Sequence, residues 1–146
     1  MRKNKLKLLF LCTGNSCRSQ MAEAWTRHLK NDQIDVWSAG VETHGLNPYA
    51  VRVMGEAGVD MSQHESTHVK DLLHIPFDVV VTVCDHARES CPVFPRPVKQ
   101  IHRQFDDPPF LSKYTESEEA VLNIYRRVRD EIKTFVEQMP GILYRD

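Results

Sequence analysis

The chain has 146 residues, of which 41% are hydrophobic and 27% are charged, and its formal net charge is −1. This length fits one ordinary domain with its own core, and the near-neutral charge gives no general attraction to nucleic acid or anionic membranes. No apolar stretch is long enough to span a bilayer, and the N-terminal apolar run is too short for a signal peptide. We therefore expect a cytoplasmic protein that binds neither membranes nor nucleic acid.

Strand and helix patterns alternate along the chain. Four strands are predicted, at residues 5–11, 33–39, 77–84 and 98–101. Helices are predicted at 17–30, at 48–58, briefly within 62–74, and along an apolar stripe from Val121 to Val136, with Thr115 and Glu118 as a candidate capping box. This alternation predicts an α/β fold in which residues 1–146 form a single domain, with an open four-stranded parallel sheet and helices on both faces.

The stretch Cys12-Thr13-Gly14-Asn15-Ser16-Cys17-Arg18-Ser19 joins the first predicted strand to the first predicted helix. Amides in the first turn of a helix lack intrahelical partners, and the helix dipole adds positive potential, so this loop can cradle a tetrahedral oxyanion. Gly14 can supply a positive φ, Asn15 tolerates the left-handed conformation, and the Arg18 guanidinium can hold two anion oxygens. The candidate oxyanion-binding residues are Thr13, Gly14, Asn15, Ser16, Cys17, Arg18 and Ser19.

Cys12 lies at the start of this loop, where positive potential favours the thiolate and lowers the expected pKa. It is our candidate nucleophile. The alternative is a thiol that is merely buried at the end of a strand.

The other cysteines do not form a pattern typical of structural disulfides in a cytosolic chain. Cys84 and Cys91, with His86 between them, lack a fourth ligand at zinc spacing, so we expect no metal site. Cys84 ends the third predicted strand as Cys12 ends the first. If these strands are neighbours, both thiols open onto one crevice at the carboxyl edge of the sheet.

The loop from Cys12 to Ser19 resembles the phosphate loop of the low-molecular-weight protein tyrosine phosphatase superfamily. Within that superfamily, Gln20–Ala24, Glu42–Pro48, Val81–His86 and Cys91 are similar to the thioredoxin-coupled arsenate reductases. The resemblance covers nearly the whole chain.

This resemblance implies that arsenate, with phosphate or sulfate as mimics, binds in the loop and is attacked by Cys12. The proton for the departing oxygen is implied to come from an Asp before a Pro, which favours Asp107 over Asp106 and would require a protonated, raised-pKa carboxyl. Two carboxylates in a turn beside prolines are the alternative interpretation of these residues.

The resemblance further implies a relay of disulfides, first between Cys12 and Cys84 and then between Cys84 and Cys91, which thioredoxin reduces. It implies that Asn15 fixes the loop and that Ser19 contacts the nucleophilic sulfur. We expect a monomer with no tightly bound cofactor.

Potassium is a further possibility, because some relatives bind it beside the loop. Asn15, Glu23 and Ser38 could contribute oxygen ligands, but Glu65 and Thr67 depart from the residues found in those relatives. A tight potassium site is therefore not expected.

Two other functions remain open. A low-molecular-weight phosphotyrosine phosphatase, acting through a phosphocysteine, explains the loop and Asp107 equally well. It leaves Cys84 and Cys91 unexplained and would favour Pro at the position of Gln20. A non-catalytic redox sensor would not need Arg18, Ser19 and Asp107 together.

Overall fold

Four parallel strands form the central sheet of the computed structural model, which describes residues 4–145. The strands are β1 (Leu6–Cys12), β2 (Ile34–Gly40), β3 (Val79–Thr82) and β4 (Lys99–His102), arranged in the order β2-β1-β3-β4. In register, Leu6 pairs with Ile34, Leu11 with Thr82, and Thr82 with His102. The two strands that end near cysteines, β1 and β3, are therefore neighbours at the centre of the sheet.

The helices follow the order expected for an α/β chain. They are α1 (Arg18–Lys30), α2 (Pro48–Glu56), α3 (Asp85–Glu89), α4 (Pro108–Leu111) and α5 (Glu118–Glu137), with short 3₁₀ helices at Val69–Leu72 and Gly141–Tyr144. Helix α1 contacts β1 and β2 and also packs against α5, which contacts α2 and α4. Within residues 4–145, no helix combines the length and apolar character needed to cross a bilayer.

Both faces of the sheet are covered. Leu8, Leu9, Phe10 and Leu11 are consecutive in β1 and are all fully buried, although successive strand side chains point to opposite faces. Helix α5 directs a stripe of buried residues at the same core: Val121, Leu122, Tyr125, Val128, Ile132, Phe135 and Val136. The predicted α/β fold with a four-stranded parallel sheet is confirmed.

Some boundaries differ from the predictions. Strand β3 has four residues instead of eight, because Cys84 leaves the strand to cap α3, where its Sγ accepts from the Ala87 amide at 3.4 Å. The capping box of Thr115 and Glu118 does not form, since Ser117 caps α5 by accepting from the Ala120 amide at 3.3 Å.

The N-terminal cap moves because Thr115 still belongs to the turn after α4. Its amide donates to the Ser112 carbonyl at 3.0 Å, so the helix can begin only beyond it. Similarly, α2 ends at Glu56, just before Gly58, which adopts φ 84° and so permits the chain to turn.

Candidate active site

Asn15 holds the loop between β1 and α1 in shape. It is fully buried and adopts φ 49°, which confirms the expected left-handed conformation. Its side-chain nitrogen donates to the hydroxyls of Ser19 at 2.9 Å and Ser38 at 3.0 Å, and its side-chain oxygen accepts from the Thr67 amide at 2.8 Å. One side chain thereby connects the loop to α1, to β2 and to the segment before the first 3₁₀ helix.

Gly14 serves a different purpose from the one predicted. Its φ is not positive, so the expectation of a left-handed glycine was wrong. A Cβ at this position would overlap the imidazole of His44, whose amide also donates to the Gly14 carbonyl at 2.9 Å. The glycine is needed for this close approach, which loop spacing alone did not reveal.

Gln20, to which the sequence comparison gave no structural role, supports the same loop. It is fully buried, and its side-chain nitrogen donates to the carbonyls of Asn15 and Glu65, each at 3.0 Å. Ser19 accepts from Asn15, and among the described residues no hydrogen bond joins Ser19 to Cys12.

Arg18 reaches from the start of α1 to the connection between β4 and α4. It is 7% exposed, its Nη1 donates to the Phe105 carbonyl at 2.9 Å, and its Nη2 lies 3.6 Å from Oδ2 of Asp107. The adjacent Asp106 instead pairs with Arg127 of α5 at 3.1 Å. The structure therefore brings Asp107, and not Asp106, to Arg18.

Cys12 and Cys84 lie at the ends of the neighbouring strands β1 and β3. The two thiols are close enough to shift each other's pKa, and the Thr13 hydroxyl lies 3.2 Å from the Cys84 sulfur. The expectation that the two thiols meet at the carboxyl edge of the sheet is confirmed. All four cysteines are reduced.

The two thiols shift each other's pKa in opposite directions. The hydrogen bond from Cys12 lowers the pKa of Cys84, and the Thr13 hydroxyl and Ala87 amide act in the same direction. The same contact and burial raise the pKa of Cys12, against the influence of Arg18. The expected low pKa of Cys12 is therefore not found in this arrangement, because its neighbour takes the negative charge.

The other two thiols differ from this pair. Cys91 is half-buried beyond α3, and burial raises its pKa. Cys17 is buried at the start of α1, and burial raises its pKa to about 12. A thiol so reluctant to ionise is suited to a structural role.

The residues considered for potassium lie together beside the loop, at a polar cavity of about 300 Å³. The Ser38 hydroxyl accepts from Asn15 and donates to Oε1 of Glu23 at 2.6 Å. Arg27 donates to the other oxygen of Glu23 at 2.8 Å, and His64 lies 3.8 Å from it. The carboxylate charge of Glu23 is thus matched within the chain by Arg27. Across residues 4–145, no cluster of three acidic, histidine or cysteine side chains is placed to hold a metal.

Comparison with known proteins agrees with this geometry. The family model described as low molecular weight phosphotyrosine protein phosphatase matches residues 7–146. An arsenate reductase of Halalkalibacterium halodurans is 47% identical, with 92% of this chain and 97% of that protein covered. One of Bacillus licheniformis is 48% identical, with 88% and 91% covered.

Among solved structures, an arsenate reductase in a phosphate-binding state superposes with a TM-score of 0.72 at 31% identity. The match covers 94% of this chain and 98% of that one. The chain therefore belongs to the low molecular weight phosphotyrosine protein phosphatase family.

Proposed function

We propose that this protein reduces arsenate to arsenite with three thiols, those of Cys12, Cys84 and Cys91. The observation that carries the proposal is the Cys84 thiol, which follows the strand paired with β1 and lies 3.2 Å from the hydroxyl of Thr13 in the loop. A phosphatase would need no second thiol at this place. The relatives named arsenate reductases support the same activity.

In the first step, arsenate binds to the loop amides and Arg18, and the Cys12 sulfur attacks arsenic. Moving the shared proton from Cys12 to Cys84 along their hydrogen bond supplies the attacking thiolate. An As–S bond forms as an As–O bond breaks, and Asp107 protonates the departing oxygen, which leaves as water.

In the second step, Cys84 passes its proton to an arsenic-bound oxygen, and the resulting thiolate attacks the sulfur of Cys12. The S–S bond forms as the S–As bond breaks, and the electron pair stays on arsenic, which is thereby reduced from As(V) to As(III). Cys91 then attacks the Cys84 sulfur and releases Cys12 as a thiolate, so two electrons from one dithiol balance the reduction.

The last exchange requires α3 to rearrange. The five residues of α3 alone extend about 7.5 Å along the helix axis, whereas disulfide-bonded Cα atoms lie about 4.4–6.8 Å apart. Once α3 unwinds, the Cys84–Cys91 disulfide becomes accessible to a dithiol protein, for which we propose thioredoxin. We further propose that the enzyme acts in the cytoplasm as a monomer and needs no tightly bound potassium, since Arg27 already pairs with Glu23.

The alternative is phosphotyrosine hydrolysis, which the family itself favours. Cys12, Arg18 and Asp107 suffice for a phosphocysteine route, so we expect weak phosphatase activity beside arsenate reduction.

The test is arsenate-dependent NADPH oxidation in the presence of thioredoxin and thioredoxin reductase. Wild type is compared with Cys84→Ser, Cys91→Ser and, as a matched control, Cys17→Ser, and a phosphatase assay is run on each sample. We expect turnover to vanish in the first two variants while phosphatase activity survives. Strong phosphatase activity with no arsenate turnover in wild type would assign the protein to the alternative function.

A further inference from the structure

A second group of hydrogen-bonded side chains links the sheet to α3, outside the oxyanion loop. His102, the last residue of β4, is only 20% exposed, and its Nδ1 lies 2.8 Å from the Thr82 hydroxyl. Its Nε2 lies 3.2 Å from Oδ1 of Asp85, the first residue of α3. The imidazole thus bridges the end of the sheet and the helix that follows Cys84.

The ring contacts three side chains. The Asp85 carboxylate can only accept, so Nε2 donates to it, and Gln104 lies 3.3 Å from the same nitrogen. Nδ1 shares its hydrogen bond with the Thr82 hydroxyl, which also lies 3.4 Å from the Ile101 carbonyl. Thr82 is 3% exposed, so the connection is anchored in the core. Arg88 contacts the same Asp85 oxygen at 3.4 Å, but it belongs to α3 and does not connect the helix to the sheet.

We propose that His102 is a positioning residue of the thiol relay. By holding Asp85, it keeps the first turn of α3 formed and keeps Cys84 directed at Cys12 until the first disulfide has formed. This role rests on the proposed function, because only a relay through Cys84 requires that order of events.

The size of α3 explains why it needs such a tether. A helix of five residues is not stable alone, and within α3 only the Ala87 side chain is buried. Cys91 can approach Cys84 only when α3 unwinds, so the contact between His102 and Asp85 must break before the second exchange. The tether therefore favours attack by Cys84 on Cys12 over early pairing of Cys84 with Cys91.

Hydrogen exchange measures the tether directly. The amides of Arg88 and Ser90 donate within this segment, to the carbonyls of Cys84 and His86. In reduced full-length protein, we expect His102→Ala to speed their exchange about three- to tenfold, as expected for the loss of one ordinary hydrogen bond. Arg88→Ala is the matched control, because it removes a contact with the same carboxylate and leaves the link to the sheet intact.

Thiol oxidation supplies a second measurement. In a Cys12→Ser, Cys17→Ser background, diamide can oxidise only Cys84 and Cys91, and we expect their disulfide to form about three- to tenfold faster after His102→Ala. Asp85→Ala, at an exposed position, should reproduce both effects, and the double variant should add nothing further. His102→Gln, which retains a donor, should restore part of the protection.

The outcomes separate the two proposals. Unchanged exchange and unchanged disulfide formation in both His102→Ala and Asp85→Ala would overturn the role of His102, whatever the turnover. If hydrogen exchange changes in these variants but the wild-type protein does not turn over arsenate, the result contradicts the proposed function alone. If His102→Ala fails to fold, Asp85→Ala carries the test.

Discussion

The contact between Cys12 and Cys84 shifts their pKa values in opposite directions. It lowers the pKa of Cys84 and raises that of Cys12, so Cys84 is the more easily ionised of the two. The pair thus holds one negative charge at neutral pH, and a second thiolate beside the first is disfavoured. This arrangement supplies a nucleophile without placing two negative sulfurs near an anionic substrate.

Removing Cys12 and removing Cys84 should have opposite effects on the pKa of the thiol that remains. In Cys12→Ala, the pKa of Cys84 should rise, because the hydrogen bond that lowers it is lost. In Cys84→Ala, the pKa of Cys12 should fall, because the contact that raises it is lost. The rate of iodoacetamide alkylation against pH, mapped to each cysteine by mass spectrometry, gives both values. Identical pH midpoints in wild type and variants would contradict this coupling.

The neighbouring carboxylates Asp106 and Asp107 provide a matched pair of variants. Asp107→Asn should lower both arsenate turnover and phosphatase activity by about a hundredfold or more, because the leaving oxygen loses its proton donor. Asp106→Asn removes only an exposed contact with Arg127 and should change either rate by less than about twofold. Equal losses in steady-state kinetics would show that Asp107 is not the specific acid.

Residue types and spacing predicted the loop, but not all of the contacts that shape it. A cysteine, an arginine and a glycine between a strand and a helix are visible in sequence. The overlap that His44 would make with any side chain at position 14 depends on a segment 30 residues further along the chain. The opposite pKa shifts of Cys12 and Cys84 likewise depend on an atomic contact, which the predicted positions of the strand ends could not specify.

At the scale of elements, the start of α5 tests how local hydrogen bonds define a helix. Ser117→Ala should cost about 1 kcal/mol of unfolding free energy, since its hydroxyl accepts from the Ala120 amide. Thr115→Ala, at the other candidate cap, should cost much less. Urea denaturation of the two variants measures the difference in unfolding free energy. A larger loss in Thr115→Ala would show that the capping box of Thr115 and Glu118 starts α5.

The apolar stripe of α5 and the hydrophobic runs of β1 and β3 were sufficient to predict the type of each of these elements. The short helices were harder, because α3 and α4 have no room for a periodic pattern. Their existence depends on caps and prolines in a tertiary setting, such as the Cys84 sulfur that accepts from Ala87.

At the scale of the whole molecule, the candidate site is assembled from distant parts of the chain. The loop follows β1, Cys84 follows β3, and Asp107 follows β4, so the strand order β2-β1-β3-β4 decides which groups meet. Alternating strands and helices predicted a parallel sheet and its functional edge. That β1 and β3 are neighbours could only be assumed from the sequence, because strand order depends on packing across the whole fold.

An oxyanion that binds only the folded state should stabilise the entire domain. At about 100 times its Kd, phosphate or sulfate should add about 2.7 kcal/mol, which corresponds to a rise in Tm of about 5–10 °C for a chain of this size. Arg18→Gln should abolish most of this rise, whereas Arg52→Gln, at an exposed pair with Glu118, should keep it. Calorimetry at constant ionic strength measures the shifts, and an equal rise in both variants would place the anion elsewhere.

The pairing of β1 with β3 also determines when Cys12 and Cys84 become reactive toward oxidants. Before these strands meet, Cys12 and Cys84 are ordinary thiols, largely protonated at neutral pH and no more attractive to oxidants than those of any nascent chain. Reactivity is acquired with the fold and disappears when the fold is lost. In an unfolded copy, the separation of the two cysteines in sequence removes the contact that lowers the pKa of Cys84.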